Sequence, residues 1–206
     1  MYTLYYSPGV CSMSVHVTLE ELGLEFDAKK VDITKGEHKE PEYLKINPRG
    51  QVGALQTPGG LISENAAMIV YLNDEHDGDL IPHAGYARAQ ALQWLMYANA
   101  TLHPSYAKAK VAMSDGVPDA VVTSACDGVQ KQWDLVEKQL EESGGPFLMG
   151  EHFGPGDIYC AVIANWQFIA HLPKFGEKTK AFLKAVTARP SFQTVLEREG
   201  VEYKAV

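Results

Sequence analysis

Strand signals end early in this chain. As far as residue 75, β-branched and aromatic runs alternate with apolar residues at helical spacing, and beyond Gly85 no strand pattern recurs. A chain that stops making strands cannot extend one sheet along its whole length. It predicts a small α/β unit followed by an all-helical one. At 206 residues it is long enough to bury a core in each.

The order of elements follows from local chemistry. Residues 2–6 suit a strand, and Ser7-Pro8-Gly9 stops it. A helix is expected from about Ser12 to Leu22, with Val15, Leu19 and Leu22 on one face and Gly23 at its C-terminal end. A second strand is expected over 26–33, a loop over 34–39, and a short helix over 41–46 opened by Pro41. Pro58-Gly59-Gly60 joins strands at 54–57 and 61–62, and Ser63 is placed to cap the helix that follows. The predicted order is β-α-β-α-β-β-α. The first two strands should be parallel, because a helix crosses between them, and the last two should form a hairpin.

The domain boundaries expected are 1–77, a linker over 78–85, and a helical domain over 86–206. In the latter, helices are expected over 86–102, kinked or broken by Pro104, then over 119–142 and 155–170, the last buried on all sides. Helices over 174–188 and 191–199 complete the bundle. Cys126 and Cys160 fall within apolar helices and are expected in the core.

Charge and cysteine content narrow the function. A net charge of −8 argues against nucleic acid as the main partner, since phosphate binding needs clustered Lys and Arg. No apolar run approaches the ~18 residues of a membrane span, and the N-terminus has no signal-peptide shape. Three scattered cysteines make no disulfide framework. A cytoplasmic protein with free thiols and no membrane attachment is the expectation. The seven histidines have no metal-ligand spacing, so no metal is expected.

Cys11 follows a strand and a turn and enters the first turn of a helix. Unpaired N–H groups and the dipole stabilise an anion there, which favours the thiolate. In Cys11-Ser12-Met13-Ser14 the position of a resolving thiol is Ser14. Such a site can form a mixed disulfide with a small thiol but cannot close an internal one. A packed structural cysteine is the alternative.

Three segments carry a resemblance: residues 5–12 (Tyr-Tyr-Ser-Pro-Gly-Val-Cys-Ser), 47–52 (Asn-Pro-Arg-Gly-Gln-Val) and 63–68 (Ser-Glu-Asn-Ala-Ala-Met). In this order and spacing, with a helical tail, the chain resembles the glutathione transferases. Cys11 and His103 point to the bacterial beta class. The resemblance covers the whole chain. It implies a thioredoxin-like first domain, glutathione as co-substrate, a small-molecule second substrate and a homodimer.

It also implies residue roles. Cys11, Ser12 and His103 would serve catalysis. Tyr6, Lys35, Gln51, Val52, Glu64 and Asn65 would line the glutathione site. There Glu64 takes the amine, the helix start at Asn65 the γ-glutamyl carboxylate, Val52 the cysteinyl backbone and Lys35 the glycyl carboxylate. Tyr6 is expected to pack rather than activate the thiol. Tyr106, Met113 and Trp166 are expected to line an electrophile pocket. Asp157 matches the family's N-capping box, with Gly154 in place of the usual Ser or Thr, so its role should be folding.

Two departures stand out. Gly53 replaces a proline whose cis bond aims the Val52 backbone in the family. The loop is expected to keep its shape, because glycine tolerates unusual dihedrals, with weaker glutathione affinity as the consequence. Met96 replaces an asparagine that reaches the neighbouring subunit's glutathione, and Asn99 lies one turn on. The activities that fit are conjugation of glutathione to apolar electrophiles, thiol transfer or reduction with Cys11 as nucleophile, and non-catalytic ligand binding.

Overall fold

The computed structural model describes residues 1–169 and 173–206. These form two compact units, Met1–His83 with Arg189–Glu202, and Ala84–Ala188 with Tyr203–Val206. No helix among the described residues is long and apolar enough to cross a membrane.

The first unit is thioredoxin-like. Its sheet has the order β2-β1-β3-β4. Strand β1 (Tyr2–Tyr6) runs parallel to β2 (Phe26–Lys30) and antiparallel to β3 (Ala54–Thr57), which forms a hairpin with β4 (Gly60–Ser63). This is the expected topology. Helix α1 (Met13–Glu21) buries Met13 to Leu19 without a break and is the centre of the unit. It ends where Gly23 turns left-handed, and Leu24 N–H closes onto Leu19 C=O at 3.1 Å. Helices α2 (Pro41–Ile46) and α3 (Asn65–Glu75) complete the expected set.

Three local expectations are corrected. Strand β2 stops at Lys30 rather than at residue 33. Asp32 Oδ1 accepts the Thr34 N–H at 3.0 Å, and this Asx turn starts a 3₁₀ turn over Ile33–Lys35. A second such turn covers Glu37–Lys39, so Lys35 sits in ordered backbone rather than a plain loop. Ser63 does not cap α3, because it pairs with Ala54 in the β-ladder, and Glu64 takes the N-cap position instead.

The larger correction concerns the last helix. Helix α9 (Pro190–Glu199) belongs to the first unit and packs on α1. Arg189 pairs with Glu21, Arg198 with Glu20, and Glu199 with the buried His16. These partners lie at opposite ends of the chain, and no local pattern links them.

The second unit is all-helical. Helix α4 (Gly85–Tyr97) leads through a π-turn, Ala98–Leu102, into α5 (His103–Ala112). Pro104 does not end the helical run, which continues from α4 through the π-turn into α5. It lacks an N–H and crowds the preceding turn, and the wider π-turn takes up the mismatch. Helix α6 (Asp119–Ser143) buries Val129, Trp133, Val136 and Leu140 at alternating spacings of four and three.

All ten residues of α7 (Pro155–Ala164) are buried, as expected. A Cβ on Gly156 would come within 2.7 Å of Trp94 Cβ, so glycine there lets α4 and α7 approach closely. Helix α7 ends six residues early. Asn165 follows it, and its side-chain oxygen accepts the Lys204 N–H at 2.7 Å. The expected end of this helix, Ala170, lies outside the described residues. Helix α8 (Glu177–Thr187) closes the unit. Cys160 is buried, with its thiol proton held by burial and by the charge of Asp157. Cys126 is only half-buried, because it stands on the partly exposed side of α6.

Candidate active site

The turn between β1 and α1 is built from its own backbone. Gly9 has φ 68°, and the N–H groups of Met13, Ser14 and Val15 bond the carbonyls of Val10, Cys11 and Ser12 at 2.9–3.1 Å. The helix therefore opens with tight i−3 bonds. The half-buried Cys11 thiol donates to the Val52 carbonyl at 3.7 Å, which joins the turn to the segment before β3.

Ser12 has a different place from the one expected. Its buried hydroxyl donates to Ser7 C=O at 3.3 Å and accepts the Ser7 N–H at 3.2 Å. The side chain closes the turn and is not presented to a ligand. Ser14 donates to the Cys11 carbonyl at 2.8 Å. Tyr6 is buried, with its ring centroid 5.3 Å from that of His16. Burial, and then the charge of Glu199, raise its phenol pKa. It packs, as expected.

The second segment is residues 47–53. Gln51 C=O accepts from Tyr43 Oη at 2.6 Å and from Asn47 Nδ2 at 2.8 Å, while the Gln51 side chain is exposed. The Val52–Gly53 peptide is cis, as the loop-shape expectation requires. Gly53 is also the point where three segments meet. A Cβ there would lie 3.0 Å from Ser12 Cβ, 3.3 Å from Tyr5 O and 3.5 Å from Asn65 Oδ1.

The third segment is the start of α3. Asn65 is buried as its first residue. Glu64 has φ 80° and makes no side-chain capping bond. Its carboxylate pairs with Arg49, Nη1 to Oε1 at 2.6 Å. Sequence reasoning passed over Arg49. The available signal was a cation two residues before Gln51, facing the same short loop as an expected acidic ligand. Lys35 is exposed and lies 3.5 Å from Asp32. The hydroxyl of Thr34 is foremost in holding the Asp32 carboxyl below its usual pKa.

Residues 1–74 match the family model described as the glutathione S-transferase N-terminal domain. Glutathione S-transferase 3 of Zea mays is 30% identical over 207 residues, covering 94% of this chain and 90% of its own. The chain belongs to the glutathione S-transferase family. GstA of Escherichia coli O157:H7 is 29% identical over 204 residues, covering 97% of this chain and 99% of its own. A glutathione transferase homolog from Sulfitobacter, solved with bound glutathione, superposes with a TM-score of 0.84 at 28% identity, covering 96% of this chain and 98% of its own.

In this glutathione S-transferase family member the remaining expected residues lie in the helical unit. His103 opens α5, with Nδ1 3.1 Å from Tyr159 Oη and its ring 5.0 Å from Trp166. Tyr106 and Trp166 are also neighbours, at 5.8 Å. Tyr106 is fully buried and its hydroxyl accepts from Trp133 Nε1 at 2.9 Å. Burial raises its phenol pKa strongly. It is therefore a core residue beneath Trp166 rather than a pocket wall. Met113 is exposed just beyond the end of α5, seven residues from Tyr106. A groove of about 610 Å³ in the same unit runs between α5 and α6, and Pro104, Lys108 and Val121 line it. None of the three expected pocket residues borders that groove. Asp157 acts in folding: its carboxylate accepts the Gly154 N–H at 2.7 Å and the Leu148 N–H at 2.9 Å. Gly154 supplies no side chain to the box, which is therefore one-sided. Among the described residues no cluster of three His, Cys, Asp or Glu is grouped to hold a metal ion.

Proposed function

We propose that this protein is a beta-class-like glutathione transferase, acting as a cytoplasmic homodimer on small apolar electrophiles. One observation carries the reading. The Cys11 thiol reaches the Val52 carbonyl at 3.7 Å, and the Asn65 side chain at the start of α3 lies 3.5 Å from the Cβ position of the next residue, Gly53. A thiol, a backbone edge and an acid beside a helix N-terminus are the partners that a thiol-bearing γ-glutamyl tripeptide needs, and this supports the reading. The crystallised Sulfitobacter relative holds glutathione.

In the proposed reaction glutathione binds along Val52 and loses its thiol proton to solvent. The thiolate sulfur attacks an electrophilic carbon, a C–S bond forms, and the leaving group departs with its electron pair. Cys11 stands at the sulfur end, Glu64 and Asn65 at the γ-glutamyl end and Lys35 at the glycyl carboxylate, with Gln51 also lining the proposed site. His103 joins the catalytic set by family resemblance. No step draws on a metal.

The test is turnover of glutathione with 1-chloro-2,4-dinitrobenzene in the presence of a chelator. The expected result is thioether product from wild type, retained at a changed rate by Cys11→Ala. Loss of all conjugation in Cys11→Ala, with a glutathione–Cys11 disulfide seen by mass spectrometry in wild type, overturns this reading in favour of thiol transfer. In that chemistry the Cys11 thiolate attacks a disulfide sulfur and expels a thiolate. Absence of any turnover despite tight apolar-ligand binding favours a carrier.

A further inference from the structure

The Glu64 carboxylate, proposed above as the ligand's amine partner, is already paired with a cation. Arg49 Nη1 lies 2.6 Å from Glu64 Oε1, and both side chains are about half exposed. Glu64 holds an unusual backbone, φ 80° and ψ 114°, at the N-cap of α3. Residues with side chains seldom adopt positive φ. The usual reward for a polar N-cap residue is a capping bond, and Glu64 makes none. Its carboxylate is directed at the 47–51 loop instead.

That loop is fixed in advance. Arg49 N–H donates to Asn47 Oδ1 at 3.2 Å, and Asn47 is almost fully buried. Gly50 N–H returns to Asn47 C=O at 2.9 Å, and Lys39 Nζ donates to Gly50 C=O at 3.0 Å. With Tyr43 and Asn47 both on the Gln51 carbonyl, the root of Arg49 cannot drift. A guanidinium on a rigid loop faces a carboxylate on a rigid helix start.

The geometry points to Arg49 as a specificity-determining residue. With Glu64 it forms a receptor for a free α-amino acid end, the guanidinium taking the α-carboxylate and Glu64 the α-ammonium. This rests on the glutathione reading and names the group that reads the γ-linkage. An α-amino acid end carries its two charges on one carbon, so two side chains that touch each other can take both by exchanging partners. Each charge leaves one opposite charge and meets another. An exposed ion pair contributes little to stability, so opening it costs little. A γ-glutamyl peptide keeps such an end intact. Its α-linked isomer has consumed the α-carboxylate in a peptide bond and offers Arg49 only a neutral carbonyl, with no carboxylate, beside the ammonium.

The experiment is calorimetric titration of wild type, Arg49→Ala and Arg49→Lys with S-methylglutathione and with its α-linked isomer. The thioether prevents disulfide formation with Cys11. Wild type is expected to prefer the γ-linked peptide at least tenfold. Arg49→Ala should lose at least fivefold affinity for it and leave the α-linked isomer unchanged, so that the preference collapses. Arg49→Lys should recover part, since an ammonium lacks the two-pronged geometry. All three should melt together, because Arg49 is exposed. Arg49→Ala binding S-methylglutathione as tightly as wild type, or weakening both isomers equally, overturns the assignment alone. Failure of wild type to bind S-methylglutathione overturns the glutathione reading and the assignment with it.

Discussion

Gly53 stands where three segments press together, and its missing side chain is what allows this. A Cβ there would lie 3.0 Å from Ser12 Cβ and 3.3 Å from Tyr5 O. Both neighbours are held against a shift. Ser12 is anchored through its hydroxyl to Ser7, and Tyr5 is paired within the sheet. Gly53→Ala is therefore expected to destabilise by about 1–3 kcal/mol through overpacking. In thermal unfolding this should lower the melting temperature by roughly 2–4 °C per kcal/mol. A variant that melts with wild type would show that the turn can shift. At this scale, residues with a sequence neighbourhood were legible. Cys11 and Glu64 stood out because a thiol at a helix start and an acid at a helix start have local meanings. Arg49 did not, because its partner lies fifteen residues away across the β3–β4 hairpin. The inward turn of Ser12 and the burial of Tyr106 were also hidden, since a side chain's direction depends on packing from elsewhere.

Helix α8 shows how one element borrows from another. Its N-cap is Gly176, which has no side chain to offer. Glu137 on α6 fills the role. Its carboxylate accepts the N–H groups of Lys178 and Thr179 at 3.0 and 2.7 Å, and the Thr179 hydroxyl at 2.7 Å. Burial alone would raise the Glu137 pKa, but the bonds from Thr179 and Lys178 outweigh it and hold the carboxyl below its ordinary value. A depressed carboxyl stabilises fully above its unfolded pKa and loses that contribution as pH falls through the folded value. Glu137→Gln is thus expected to cost about 1–2 kcal/mol at pH 7, the size of a lost cap. Denaturant titrations should show the gap closing as the pH is taken below the carboxylate range. A pH-independent gap would mean that packing, not charge, holds the contact. Element types were legible because periodicity and Gly and Pro positions are local. Element ends were less so. Strand β2 yielded to the Asp32 turn and Ser63 to the β-ladder. Helix α7 ends at Asn165, whose side chain takes a partner from the C-terminal segment.

At the scale of the molecule, the sharp loss of strand signal did fix the fold class, but not which chain segments form each unit. The first unit is closed by a helix from the far end of the chain, and one carboxylate makes the innermost tie. Glu199 Oε1 lies 2.8 Å from His16 Nδ1, and Oε2 accepts the Gly9 N–H at 2.8 Å. Both side chains of the pair are fully buried. Assigning Glu199 as the ionised acceptor of both contacts puts the imidazole proton on Nδ1. His16 Nε2 has no hydrogen-bond partner among the described residues, so the ring has no second acceptor to exchange for Glu199. Glu199→Ala removes the acceptor for two donors, in a place water cannot readily reach. Each buried orphan costs about 1–3 kcal/mol, so the expected loss for two is about 2–6 kcal/mol. The melting temperature should fall by roughly 4–24 °C. Arg198→Ala is the matched control. It breaks the α9 pair with Glu20, where the arginine is half exposed, and is expected to cost about 0–1 kcal/mol. Equal effects from the two substitutions would mean that α9 is held by area alone. A large effect from Glu199→Ala only would place the closure of the first unit on the single buried acceptor that joins α9 to the Cys11 turn.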